Sequence, residues 1–125
     1  MASEHLEQAM LVSWFRKNYH PEHRIFSIPN GGARSAMSGM AMKAEGLTKG
    51  VPDLFIPSIK LFIELKKVKG GKLSVEQKDW LDYLNSVGYT AIECKGFEDA
   101  KAHIILLMDY LGHQSNPSYT PPTPL

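Results

Sequence analysis

Apolar positions along this chain recur at two periods, and the switching between them lays out the elements. Leu11, Trp14 and Phe15 stand at helical spacing, so a helix is expected from Ser3 to about Asn18. Ser3 can cap it, and Glu4 and Glu7 in its first turn suit the positive end of the helix dipole. After a loop at His20 to His23, Arg24 to Pro29 alternates as a strand does. Ala36 to Glu45 predicts a short helix whose apolar face, Met37, Met40, Ala41 and Ala44, is expected to pack into the core, with Gly46 ending it. Between Gly50 and Lys66 two short apolar runs, DLFIP and KLFIELK, flank the turn-like Pro57-Ser58-Ile59-Lys60 and predict a hairpin. Ser74 to Val87 is the clearest helix, with Trp80, Leu81 and Leu84 on one face and Gly88 closing it. Tyr89 to Cys94 predicts a strand, and Phe97 to Leu111 a last helix packed through Phe97, Ala100, Ile104, Leu107, Met108 and Leu111.

This order predicts an α/β domain over residues 1–112, with a mixed sheet of about four strands flanked by helices. The hairpin strands run antiparallel. The Glu64 strand, the following helix and the Tyr89 strand form a right-handed parallel crossover. Residues 113–125 hold four prolines among small polar residues, a tail expected to be flexible or extended. No internal repeat is expected.

Composition narrows the choices further. The 125 residues are 43% hydrophobic and 22% charged, enough apolar material for one soluble core. The formal net charge is +1, so affinity for a polyanion must come from local clustering or from bound metal. A single cysteine, Cys94, excludes an intrachain disulfide and a cysteine-based zinc cage. Cys94 and His103 lack partners at metal-ligand spacing and are expected to be structural or exposed. The N-terminus lacks the basic and apolar regions of a signal peptide, and no run reaches the ~20 apolar residues of a membrane span.

The hairpin carries charge where buried strands should carry none. Glu64 and Lys66 are two residues apart and share a face, while Leu61, Ile63 and Leu65 take the other. A register placing Asp53 opposite Glu64 or Lys66 gathers all three. Two carboxylates in a partly apolar setting repel each other and need compensating charge. Lys66 supplies one charge and a divalent cation can supply the rest. Oxygen ligands suit Mg²⁺ or Mn²⁺, which polarise a phosphoryl oxygen and acidify a bound water. Lys66 could orient that water or stabilise charge on the phosphate. A surface Glu–Lys pair with a turn aspartate is the plainer alternative.

Other residues frame this patch and keep two readings each. Gln77 completes a capping box with Ser74, yet heads the buried face of its helix and can also point toward the site. Glu4, Glu7 and Gln8 lie on or beside the apolar face of the first helix, as solvated dipole partners or as an added site carboxylate. Asn30, Gly31, Gly32 and Arg34 form either a plain turn or a loop whose amides and guanidinium touch phosphate. Lys43, and Lys67, Lys69 and Lys72 in the glycine-containing loop after the hairpin, face either water or a phosphate.

Pro52-Asp53 followed by Glu64-x-Lys66 inside apolar strands resembles the core motif of the PD-(D/E)XK nuclease superfamily. Glu4-x-x-x-Gln8, Asn30-Gly31-Gly32 with Arg34, Lys43 with Gly46, Gly50-Val51-Pro52-Asp53-Leu54, Phe62-Ile63-Glu64-Leu65-Lys66, and Ser74-x-x-Gln77 with Trp80 extend the likeness to one branch, the VRR-NUC domain. The resemblance runs from Glu4 to about Tyr110. It implies a restriction-endonuclease-like fold and a Mg²⁺- or Mn²⁺-dependent DNA endonuclease. Asp53, Glu64 and the Leu65 carbonyl would be metal ligands, Lys66 the catalytic lysine and Gln77 the family glutamine. Glu4, followed by Gln8, best matches the helix-one acid, with Glu7 the alternative. The resemblance further implies a homodimer of bacterial or phage type, cytoplasmic and free of membrane. Its substrate would be branched DNA such as the four-way (Holliday) junctions of recombination and repair. A non-catalytic junction-binding module and a sequence-specific restriction-type endonuclease are the alternatives.

Overall fold

The computed structural model describes residues 3–29 and 36–113, with backbone alone at 36–38. Its elements are α1 (Glu4–Tyr19), β1 (Phe26–Ser27), α2 (Ala36–Ala44), β2 (Leu54–Ile56), β3 (Leu61–Lys66), α3 (Val75–Ser86), β4 (Thr90–Lys95) and α4 (Gly96–Tyr110). One sheet runs in the order β1-β2-β3-β4. β1 and β2, and β2 and β3, pair antiparallel, and β3 and β4 pair parallel across α3. The expected mixed α/β sheet of four strands is therefore present. Among the described residues no helix is long and apolar enough to cross a membrane.

Period-two alternation along β3 divides the core between two faces. Leu61, Ile63 and Leu65 are buried against Leu11, Phe15 and Tyr19 of α1 and Ala100, Ile104 and Met108 of α4. Each such aliphatic side chain contributes roughly 2 kcal/mol by leaving water. Phe62 points the other way, to Leu81 and Leu84 of α3 with Ala91 of β4. Helices thus cover both faces, and Glu64 and Lys66 lie on the α3 side. Phe15 and Tyr19 are core residues and Trp14 packs against them, so the apolar face of α1 is not available for subunit contact.

Local chemistry sets the element ends. The Ser3 hydroxyl accepts from the Leu6 amide at 3.1 Å and caps α1. Pro57–Ile59 closes the β2–β3 hairpin as a 3-10 turn, and Lys60 takes a left-handed conformation (φ 52°) to re-enter the sheet.

Two expectations need correction. The strand expected over Arg24 to Pro29 contracts to Phe26–Ser27, because its partner β2 is only three residues long and cannot support a longer ladder. In α2, Met40, Ala41 and Ala44 are exposed, Met40 by 71%, so that apolar face is not core. The sequence pattern reports amphipathicity, but not whether a partner surface lies opposite. Met37's side chain and residues 114–125 lie outside the described residues.

Candidate active site

The β2–β3 register pairs Leu54 with Ile63, and carried one step further it sets Asp53 beside Glu64. Asp53 is held at both ends. Its carbonyl accepts from the Ile28 amide at 2.8 Å, and its Oδ2 accepts from the Leu65 amide at 2.8 Å. The Leu65 contact fixes the carboxylate against β3, where the expected register required it. Gly50 makes the approach possible. It has φ +94°, and a Cβ there would sit 2.7 Å from the backbone of Glu76, so the lead-in to β2 lies directly on the first turn of α3.

Glu64 is 1% exposed. Its Oε2 accepts a long hydrogen bond from the Gln77 amide at 3.4 Å, and its Oε1 has no hydrogen-bond partner among the described residues. Burial first, then the adjoining Asp53 carboxyl and the charge of Glu4, push its carboxyl up to about 9, with the Lys66 ammonium pulling the other way. One positive charge therefore does not balance the carboxylates gathered here.

Both readings of Gln77 hold together. Its Oε1 accepts from the Ser74 amide at 2.8 Å while the Ser74 hydroxyl accepts from the Gln77 amide at 3.1 Å, completing the capping box. The side-chain nitrogen is left to face Glu64. The two acids of α1 also separate. Glu7 Oε1 accepts from the Phe97 amide at 2.8 Å and caps the start of α4, whereas Glu4 is the one whose charge reaches Glu64. Lys43, Lys67, Lys69 and Lys72 are exposed. Asn30, Gly31, Gly32 and Arg34 lie outside the described residues.

The structure adds residues that the sequence reading passed over. Parallel pairing sets Glu93 beside Glu64 and Lys95 beside Lys66. The signal was a short echo, Ile63-Glu64-Leu65-Lys66 and Ile92-Glu93-Cys94-Lys95, where no repeat was expected. On the opposite face of β4, Cys94, Asp99 and His103 bring donor atoms within 4.8 Å of one another. The expectation that His103 lacks a partner is thus wrong: Asp99 stands four residues earlier, with Oδ1 at 3.5 Å from Nε2. The Asp99 Oδ2 accepts from the Lys95 amide at 2.8 Å, and burial with the charges of Asp99 and Glu93 pushes the Cys94 thiol up to about 12. Asp99 ties down the start of α4, and the trio, with its thiol and imidazole, is not an oxygen cage.

The hairpin site, by contrast, fits a hard divalent cation. Its donors are oxygens, one carboxylate oxygen is buried without a partner, and burial, with the neighbouring Asp53 second, raises the Glu64 pKa. Asp53, Glu64 and the Leu65 carbonyl are the residues that would hold it.

An Asp and a Glu-x-Lys brought to one face of a mixed sheet by a hairpin, with helices on both sides, define a restriction-endonuclease-like domain of the nuclease type. The VRR-NUC domain family model matches residues 2–98, and the chain belongs to that family, within the PD-(D/E)XK superfamily. A solved structure of a VRR_NUC domain protein is similar in fold, with a TM-score of 0.73 at 23% identity over 87% of this chain and 90% of that one. No curated protein matches the sequence.

Proposed function

We propose that this domain is a Mg²⁺- or Mn²⁺-dependent endonuclease that hydrolyses phosphodiester bonds in branched DNA such as four-way junctions, working as a homodimer in the cytoplasm. The observation that carries the reading is the buried Glu64 carboxyl, packed beside Asp53 with Oε1 unpartnered among the described residues. A fold gains nothing from such a group unless a cation or a reaction uses it. When bound, the metal would supply a polarised phosphoryl oxygen and a more acidic water.

The protein's own groups have separate tasks. Asp53, locked by the Leu65 amide, offers its other oxygen to the site. Gln77, fixed by the capping box, holds the Glu64 carboxylate through its amide nitrogen. Lys66 orients the attacking water and stabilises charge on the phosphate as the bond opposite the water breaks. Glu4 adds a further carboxylate at the rim, while Glu7 caps α4. Lys43, Lys67, Lys69 and Lys72 would contact phosphates, joined by Asn30, Gly31, Gly32 and Arg34. Two such basic faces related by twofold symmetry suit a symmetric junction.

The test is a cleavage panel of four-way junctions, flaps and linear duplex, with Mg²⁺, Mn²⁺ or EDTA. Cutting that prefers branched DNA and disappears with EDTA or with Lys66→Ala is expected. Cutting that survives either change sinks the proposal. Tight junction binding without cutting in any metal would indicate a binding module, and cutting at a fixed sequence in linear duplex a restriction-type enzyme.

A further inference from the structure

Glu93 and Lys95 repeat, one strand over, the Glu-x-Lys arrangement of the candidate site, on the same face and in register. They are not idle surface charges. The Lys95 ammonium lies 3.2 Å from the Glu93 carboxylate and donates a short hydrogen bond to the carbonyl of Gly71. Gly71 belongs to the loop after β3 that carries Lys67, Lys69 and Lys72. Two more contacts seat this loop. The Gly71 backbone lies against the Lys66 stem, so close that a Cβ would come within 3.0 Å of Lys66 Cβ. Val68 packs onto the start of α4, where a Cβ on Gly96 would come 2.6 Å from it.

From these contacts we propose that Glu93 and Lys95 are positioning residues: Glu93 aims Lys95, and Lys95 docks the Lys67–Lys72 loop beside Lys66. Docking sets two things at once. It spaces three cations for consecutive phosphates, and it packs the stem of Lys66 so that its ammonium stays at the carboxylates. A glycine-containing loop with three like charges would otherwise spread apart. The neutralised pair adds little net charge of its own, so its contribution is geometric. This inference rests on the nuclease reading above for its catalytic half, and on the structure alone for the docking.

The test exploits a conflict of sign. On electrostatics alone, Glu93→Gln removes a negative charge beside a DNA-binding face and should tighten binding. By positioning, it should act in the same direction as Lys95→Met. Binding of a fluorescent four-way junction is measured in EDTA, and kcat and KM are measured with metal. Hydrogen exchange follows the amides of residues 67–73, and melting temperature reports overall stability. Both variants should weaken junction binding severalfold, lower kcat by up to the roughly hundredfold that a misplaced group costs, and speed exchange in that segment. Lys95→Arg, which keeps the donor, should restore kcat. Tighter binding by Glu93→Gln overturns the proposal, as does a fall in melting temperature with exchange at 67–73 and kcat unchanged. If the wild-type protein neither cuts nor binds DNA, the nuclease reading fails and the catalytic half falls with it. Exchange at 67–73 still decides whether Lys95 docks the loop.

Discussion

Replacing Glu64 by glutamine is expected to stabilise the metal-free fold at neutral pH. The side chain is buried beside Asp53, and its carboxyl is raised from 4.5 to about 9. Because the folded pKa is the higher one, the unfolded chain gives up its proton first. The stability associated with this proton is therefore complete below pH 4.5 and drains as pH climbs toward 9. Each pH unit in that window costs the folded state roughly 1.4 kcal/mol, so about 3 kcal/mol is lost between pH 5 and pH 7.5. Glu64→Gln keeps the shape and removes the titration. Urea unfolding in EDTA across this range should show wild-type stability falling while Glu64→Gln stays nearly level, the remaining groups being common to both. Mn²⁺ at pH 7.5 should then restore the wild type alone, by about 3 kcal/mol at a hundredfold excess over the dissociation constant. Parallel pH profiles for the two proteins would refute the reasoning.

Cys94 is fully buried with its thiol pushed up to about 12, so iodoacetamide should label it only in denaturant; rapid labelling of the native protein would contradict the packing described. Gly50→Ala places a methyl 2.7 Å from the Glu76 backbone at φ +94°, and a loss of about 2 kcal/mol or more is expected by chemical denaturation. Glu7→Ala should cost about 1 kcal/mol of stability by removing the cap on the Phe97 amide. Glu4→Ala should instead lower cleavage with little change in melting; the opposite pairing would reverse the assignment of the two acids.

What the sequence made legible was short in range. The hairpin, the Ser74–Gln77 box and the parallel crossover each follow from spacing within a few residues or from one connection rule. Glu4 and Glu7 could not be separated that way, because both share a helix face. The choice depends on where the start of α4 arrives, ninety residues further on. The exposed face of α2 escaped for a similar reason, since a missing cover leaves no mark in the helix itself. Glu93 and Lys95 were hidden by the ordinary look of a strand with one polar face. Only the register with β3 gives them meaning.

The hairpin also has a consequence for how the site comes together as the chain folds. Asp53 and Glu64 repel each other, yet they are only eleven positions apart, and the turn at Pro57–Ile59 closes the loop between them. Glu4 must return across sixty positions, which costs about 1.5 kcal/mol more in chain entropy. The chain therefore unites its most antagonistic groups by its least costly closure. Low contact order can thus assemble the charge conflict before the distant helices arrive to enclose it.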